Sequence, residues 1–507
     1  MKLSSVVVSA AKKRTSGGHG PSSNSKVEVP KDNQRSIASL GFLSTTGQNH
    51  LLQSQSLVSL LINNPSNLQI TKQVQSLLVT NGTLNHSLPL LNNLIRCYSL
   101  SDSPHLAFFL YKQALVRYSG PPPFNTFTYT FLVNSCSGGR DPLGVGTQLH
   151  GLIVKMGFGG HVYVETALAR MYCAGRCMAD AMMVFDEMAD RNSVTWNVMI
   201  TGFVKLGRLE FARRLFDVMP ERNVVSWTTL IDGYVRAENY SEGFGLFRRM
   251  ACCKGMRPTE ITLLAILPAV WNAGDLSQCG LIHSYAKKMG FLSFDIRVVN
   301  SILECYAKCG CIESALMFFD DVLEEKRNLI SWTTIIMGLA MHGMGEEAAE
   351  FFGRMEKAGL KASQVTFLSV MNACSHGGLV EEGLKFFDKM KNEYRLEPNV
   401  KHYGCVVDML GRVGRLGEAE KTALAIPKEV VNDVVWRTLL GACTVHRDVE
   451  MGDRVTKRIL EIERGYGGDY ALMYNLFVAC ERFADAERLR NLMDKRNAHK
   501  LCGRSVV

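Results

Sequence analysis

Proline is scarce, with 14 in 507 residues, so little in this chain interrupts a helix. No apolar run approaches the roughly 18 consecutive residues that a membrane-crossing helix needs, and the reading is of a soluble chain with no membrane partner. Charge of one sign is also in short supply once the N-terminus is set aside. Residues 1–49 hold seven Lys/Arg against only Glu28 and Asp32, which is +5 of the net +9 and leaves +4 for everything after them. So small an excess does not carry phosphate binding by charge alone. The 15 cysteines fall singly or in irregular groups, such as Cys305, Cys309 and Cys311 or the pair Cys252 and Cys253. That scatter fits free thiols in a reducing compartment rather than a disulfide framework.

Acid is missing over a long stretch: after Asp32 none occurs until Asp102. Residues 1–49 are Ser-rich and basic, the composition of an organellar transit peptide, with a disordered tail as the alternative. Arg35-Ser36-Ile37-Ala38-Ser39 is a candidate processing stretch. The expected location is the mitochondrion, the chloroplast being the alternative.

What the chain does have is a period. Phe185-Asp186-Glu187-Met188, Phe216-Asp217-Val218-Met219 and Phe247-Arg248-Arg249-Met250 recur at a spacing of 31, and similar phrases at Phe319, Phe352 and Phe387 follow at 33 and 35. Val194-Thr195-Trp196-Asn197, Val225-Ser226-Trp227-Thr228 and Ile330-Ser331-Trp332-Thr333 keep step with them. Each unit reads as two helices. In residues 193–223, Trp196, Met199, Ile200 and Phe203 share one helix face, and Leu209, Ala212, Leu215, Phe216 and Met219 share another. Gly207 suits the left-handed position of the turn between them, and Pro220 stops the second helix. Neither helix buries its face alone, so neighbouring hairpins stack into a superhelix. The expected fold is all-α.

On these phrases the chain resembles the plant pentatricopeptide-repeat family, in the subclass that mixes standard, long and short repeats. The parse is a degenerate unit near 54–87, then 88–125, 126–161, 162–192, 193–223, 224–259, 260–295, 296–328, 329–363, 364–399 and 400–433. The long units carry Gln148-Leu149-His150 with Lys155-Met156-Gly157-Phe158, and Leu281-Ile282-His283 with Lys288-Met289-Gly290-Phe291. Val434-Val435-Trp436-Arg437 and Tyr470-Ala471-Leu472-Met473 resemble the family's C-terminal extension motifs, here 434–507. Lys500-Leu501-Cys502-Gly503-Arg504-Ser505 departs from the family's Pro-Gly-Cys-Ser-Trp ending. The resemblance implies a right-handed superhelical α-solenoid that binds single-stranded organellar RNA.

Related proteins often continue into a cytidine-deaminase-like domain. Its zinc chemistry needs His-x-Glu and Pro-Cys-x-x-Cys, and neither His-x-Glu nor Cys-x-x-Cys occurs here. Cys173 and Cys177 have no paired His motif. His150 and His283 hold equivalent places in two repeats and read as packing rather than metal ligands. Glu346-Glu347 and Glu381-Glu382 start second helices, where acids favour the dipole. The Trp residues read as interhelical packing, with base stacking as the alternative. The chain is therefore expected to be no enzyme, with no catalytic residue, metal or cofactor.

A modular RNA reader takes one base per repeat with two or three side chains. The fifth residues of the units are Asn92, Thr130, Thr166, Asn197, Thr228, Leu264, Asn300, Thr333, Leu368 and Gly404, and the final ones are Asn125, His161, Asn192, Asn223, Thr259, Asp295, Asn328, Ser363 and Asn399. Helix capping alone would also select Asn and Thr. Their restriction to one repeat position favours base reading. By resemblance to the family code, Thr166 with Asn192 and Thr333 with Ser363 imply adenine. Asn92 with Asn125, Asn197 with Asn223, and Asn300 with Asn328 imply pyrimidines, and Thr228 with Thr259 a purine. Second residues such as Val194, Val225 and Ile330 would sandwich the bases. The implied target is Y-n-A-Y-R-n-Y-A-n-n, 5′ to 3′. The function expected is site recognition for C-to-U RNA editing, with a deaminase-bearing partner recruited in trans through 434–507. Splicing, stability or translation of organellar RNA is the alternative within RNA binding, and a protein-binding helical scaffold the alternative outside it.

Overall fold

A computed structural model of the chain describes residues 56–80, 87–117, 124–138, 141–427, 432–462 and 467–495. The targeting segment 1–49, the processing stretch at Arg35 and the ending at Lys500–Ser505 lie outside these residues. Among the described residues the secondary structure is helical, with no strand. The chain forms two compact units, one ending at Leu206 and the other beginning at Gly207.

Both units are built from antiparallel helix pairs. In the first unit, first helices run Leu88–Leu100, Thr126–Ser137, Val162–Ala174 and Ser193–Lys205, and second helices run His105–Arg117, Pro142–Lys155 and Met178–Glu187. In the second unit the first helices are Val224–Arg236, Glu260–Ala273, Ile296–Lys308, Leu329–Met341, Gln364–Gly377 and Val400–Arg412. Four more helices, Asp433–His446, Val449–Ile462, Gly467–Ala479 and Phe483–Lys495, close the chain. Within each unit, first helices of successive pairs lie side by side, and a second helix packs on its own first helix and on the next one. This is an α-solenoid in which every element faces sequence-near neighbours.

The apolar faces read from the sequence are the buried ones. Met199, Ile200, Ala212 and Phe216 are fully shielded, and Trp196, Trp227 and Trp332 are buried. Each Trp meets the Phe of the preceding second helix edge to face: Phe185–Trp196 at 4.9 Å, Phe216–Trp227 at 4.7 Å and Phe319–Trp332 at 4.9 Å between centroids. The tryptophans are thus interhelical packing and are not placed to stack on a base.

An arginine completes this joint. Arg191 Nε and Nη2 donate to the carbonyls of Phe185 and Asp186, both at 2.8 Å, and its guanidinium stands 4.7 Å from the Phe185 ring. Arg222 repeats this on Phe216 and Asp217, and Arg327 on Asp320, Val322 and the Phe319 ring. One planar side chain caps the open carbonyls at the end of the second helix and covers the ring that holds the next helix.

Turns between paired helices need a left-handed residue. Gly310 and Gly414 supply it with φ of +85° and +79°, whereas Glu238 takes φ +59° in the same turn of its own repeat. In the closing helices, the buried Asp469 carboxylate accepts from Arg437 Nε at 2.7 Å and Nη2 at 3.0 Å, and Asp433 lies on the same guanidinium. This forked pair ties helix Asp433–His446 to helix Gly467–Ala479.

Glu238→Gly is expected to raise stability by about 0.5–1 kcal/mol, the left-handed cost of ~1–2 kcal/mol less the entropy of glycine, as read in denaturant unfolding. Arg437→Ala is expected to cost about 3–5 kcal/mol by stranding the Asp469 carboxylate, and to lower the unfolding midpoint of the C-terminal helices.

Candidate nucleic-acid interface

The last residue of each unit opens the next first helix. Asn125, Asn192, Asn223 and Asn328 stand at N-cap positions and accept from the backbone N–H of Thr128, Thr195, Ser226 and Ser331 at 2.9–3.2 Å. Ser363 accepts from Thr366 N–H at 3.3 Å, and Thr259 and Asp295 hold the same place before helices Glu260–Ala273 and Ile296–Lys308. The capping reading of these residues is therefore realised, each cap being worth about 1 kcal/mol.

Capping does not account for the fifth residues, which lie one turn into the helix. Asn92 Nδ2 donates to Asn125 Oδ1 at 3.2 Å, and Asn300 Nδ2 to Asn328 Oδ1 at 3.3 Å. The threonines reach the last residue through an intermediary. Thr166 and Thr195 hydroxyls meet at 2.8 Å, and Thr195 Oγ1 donates to Asn192 Oδ1 at 3.0 Å. Thr228 and Thr262 meet at 2.7 Å, with Thr262 at 3.3 Å from Thr259 Oγ1. Thr333 and Thr366 meet at 2.8 Å, with Thr366 at 3.0 Å from Ser363 Oγ. The fold thus brings together the fifth and last residues of five of the repeats. Asn197 is half-buried on helix Ser193–Lys205 and Asn223 caps helix Val224–Arg236; they belong to different compact units.

The intermediary is the third residue of the following repeat: Thr128, Thr195, Thr262, Ser331 or Thr366, each essentially buried; the equally buried Ser226 donates to the Asn223 carbonyl at 2.8 Å. Sequence reading passed over it. A signal existed in the Thr195, Ser226 and Ser331 of the recurrent phrases, since a hydroxyl beside a core Trp demands a partner. The two long units lack this hydroxyl. Val164 and Val298 follow them, Leu264 has no polar group, and Thr130 Oγ1 turns back to its own Thr126 carbonyl at 2.7 Å. After Leu368 the third residue is His402, whose Nδ1 lies 2.8 Å from Asn399 Oδ1 and whose Nε2 lies 2.9 Å from the Gln364 carbonyl.

Beside each fifth-and-last pair stands an exposed second residue. Phe127, Tyr163, Val194, Val225, Ile261, Ile330 and Val365 leave between 49% and 69% of their surface in solvent. One exposed apolar side chain is ordinary, but this step is exposed and apolar in three repeats of the first unit and in four of the second. Around Asn92 and Asn125 the geometry opens into a cleft of ≈ 390 Å³ lined also by Arg96, Phe127 and Phe131. Polar groups at the floor and apolar walls suit a flat, hydrogen-bonding ligand such as a base. Lys205, Arg236, Lys308 and Arg412 end four first helices, the last three paired with acids one turn back.

His150 Nδ1 lies 2.8 Å from the Tyr172 hydroxyl and His283 Nδ1 3.0 Å from the Tyr306 hydroxyl. No group of three or more His, Cys, Asp or Glu suited to a metal occurs among the described residues. Among them, too, no helix is long and apolar enough to cross a membrane.

The interface defines a class: helical-repeat proteins that present polar pairs at a fixed step of their repeats. The E motif matches residues 446–507, the PPR repeat family matches 327–376, and the PPR repeat matches 166–193, 194–224, 225–254, 297–326 and 365–394. A pentatricopeptide repeat-containing protein of Arabidopsis thaliana, named as mitochondrial, is 53% identical over 473 residues, covering 90% of this chain and 94% of its own. A second from the same plant is 37% identical over 421 residues, 82% of this chain and 78% of its own. A crystal structure of the pentatricopeptide repeat protein PPR10 in complex with an 18-nt psaJ RNA element is 15% identical at a TM-score of 0.36, over 92% of this chain and 79% of that one. The chain belongs to the pentatricopeptide repeat family, in the subclass that carries an E motif.

Burial holds the imidazoles of His150, His283 and His402 below their ordinary value. The folded state keeps them neutral while unfolded histidines protonate near pH 6.5. Their contribution is present above about pH 6.5 and is lost as pH falls through the depressed folded values. The thermal midpoint is expected to drop between about pH 7.5 and 5.5, a window in which ordinary carboxylates do not titrate. His402→Gln should flatten that slope.

Proposed function

We propose that the chain binds single-stranded RNA in an organelle and acts as the site-recognition factor for C-to-U editing. The observation that carries the reading is the recurrence, at one step of the solenoid, of a hydrogen-bonded fifth-and-last pair beside an exposed apolar second residue. Asn92/Asn125, Thr166/Asn192, Asn197/Asn223, Thr228/Thr259, Asn300/Asn328 and Thr333/Ser363 read one base each, with the second residues packing on the base faces. The target is Y-n-A-Y-R-n-Y-A-n-n. The hydroxyl-less long units give the unread second and sixth nucleotides.

The E motif match supports the editing role, and residues 434–507 recruit a deaminase supplied in trans. The basic, Ser-rich N-terminal segment and the name of the mitochondrial relative support a mitochondrial location, with the chloroplast as the alternative.

Transcript sequencing in plants lacking the protein tests the role. Loss of C-to-U conversion at sites preceded by the target pattern is expected; intact editing with an unspliced or missing transcript overturns it. In gel shifts, Thr166→Ala is expected to weaken binding by about 1–3 kcal/mol when adenine is third in the RNA, and little when another base is there. Equal losses on every RNA would contradict base reading by Thr166.

A further inference from the structure

We propose that the hydroxyl at the third position of each following repeat is a positioning residue for base discrimination, because it decides which atoms of the preceding fifth residue are left to face a base. This rests on the base-reading function proposed above. Ser331 shows the device most fully. The backbone N–H of Asn328 donates to Ser331 Oγ at 3.3 Å, closing the capping box of helix Leu329–Met341. That bond occupies the oxygen on its inner side, so the single hydroxyl hydrogen points back to the preceding repeat. There it is donated to Asn300 Oδ1 at 2.7 Å, and more weakly to Asn328 Oδ1 at 3.1 Å.

The consequence for Asn300 follows from counting its polar atoms. Its carbonyl is turned to the buried hydroxyl, one amide hydrogen is spent on Asn328 Oδ1, and the second amide hydrogen remains for a base acceptor. The amide is locked in one of its two orientations. Thr128 makes the same arrangement at the other asparagine pair, accepting from Asn125 N–H at 3.3 Å and donating to Asn92 Oδ1 at 2.6 Å. Without the hydroxyl, an asparagine amide turns about its Cβ–Cγ bond at no cost in bonds to that side, and oxygen and nitrogen exchange places.

A threonine in the fifth position receives different instructions from the same neighbour. Thr262 and Thr366 accept the N–H of Thr259 and Ser363, both at 3.2 Å, and meet Thr228 and Thr333 at 2.7 and 2.8 Å. At these two pairs either hydroxyl can donate to the other, and at the remaining pair the Thr166 hydroxyl also donates to its own Val162 carbonyl at 2.6 Å. The base therefore meets a fixed amide donor in one kind of repeat and a hydroxyl shared with the next repeat in the other. The choice is enforced from the next repeat by a residue that touches no base. It also accounts for the valines, Val164 and Val298, that follow the two long units.

The test is equilibrium binding of the full chain to synthetic RNAs of the proposed pattern, varied to each of four bases at the seventh or the third nucleotide. Ser331→Ala is expected to reduce the pyrimidine preference at the seventh nucleotide roughly tenfold, the factor one hydrogen bond supplies, and to leave the third unchanged. Thr195→Ala should do the reverse, and Ser331→Thr should keep the wild-type preference. A preference at the seventh nucleotide unmoved by Ser331→Ala overturns the inference. So does an equal loss at both nucleotides, which would mark a structural role only. A wild-type chain with no preference at the seventh nucleotide overturns the base-reading assignment of Asn300, and this inference with it.

Discussion

Everything in the repeat array depends on the cap that joins one repeat to the next. The residue that ends a unit does not belong structurally to the helix before it. It starts the helix after it, accepting a backbone N–H that would otherwise be unpaired. The preceding arginine in Arg191-Asn192, Arg222-Asn223 and Arg327-Asn328 closes the second helix's open carbonyls. Two adjacent side chains thus terminate one helix and begin another, and the angle between repeats is set where they meet. The Phe–Trp contact fills the space beneath, so the joint is polar above and aromatic below.

That joint is also where the polar pair arises. A cap residue must keep its oxygen near the first turn, and the fifth residue of the previous first helix lies alongside because first helices pack side by side. The capping-box hydroxyl then finds both within reach. Where the fifth residue is Asn or Thr, the atoms that cap one helix also bind the side chain of the helix before it. The chemistry is that of donors and acceptors left over after the fold has been satisfied, set between exposed apolar side chains.

Much of the architecture was legible because helices bury residues at short, regular spacing. Trp196, Met199 and Ile200 announce a helix face, and Gly207 announces a turn, without reference to anything distant in sequence. The assignment of Trp196, Trp227 and Trp332 to packing followed from the same logic. The recurrent Asn and Thr positions were legible, and the family resemblance paired them, but the hydroxyl of the next repeat that joins each pair was not. The role of Arg191, Arg222 and Arg327 was not legible, since nothing local distinguishes a capping arginine from a solvated one.

The sequence by itself determined the period, the helix pairs and the residue types at the fifth and last steps, because each depends on contacts within about one repeat length. Tertiary structure alone decided which side chains meet. Thr195 lies 29 residues from Thr166 and Ser331 lies 31 from Asn300, yet stacking puts their hydroxyl and amide groups in contact. A hydrogen bond needs placement to a few tenths of an ångström and a direction, and only packed helices supply both.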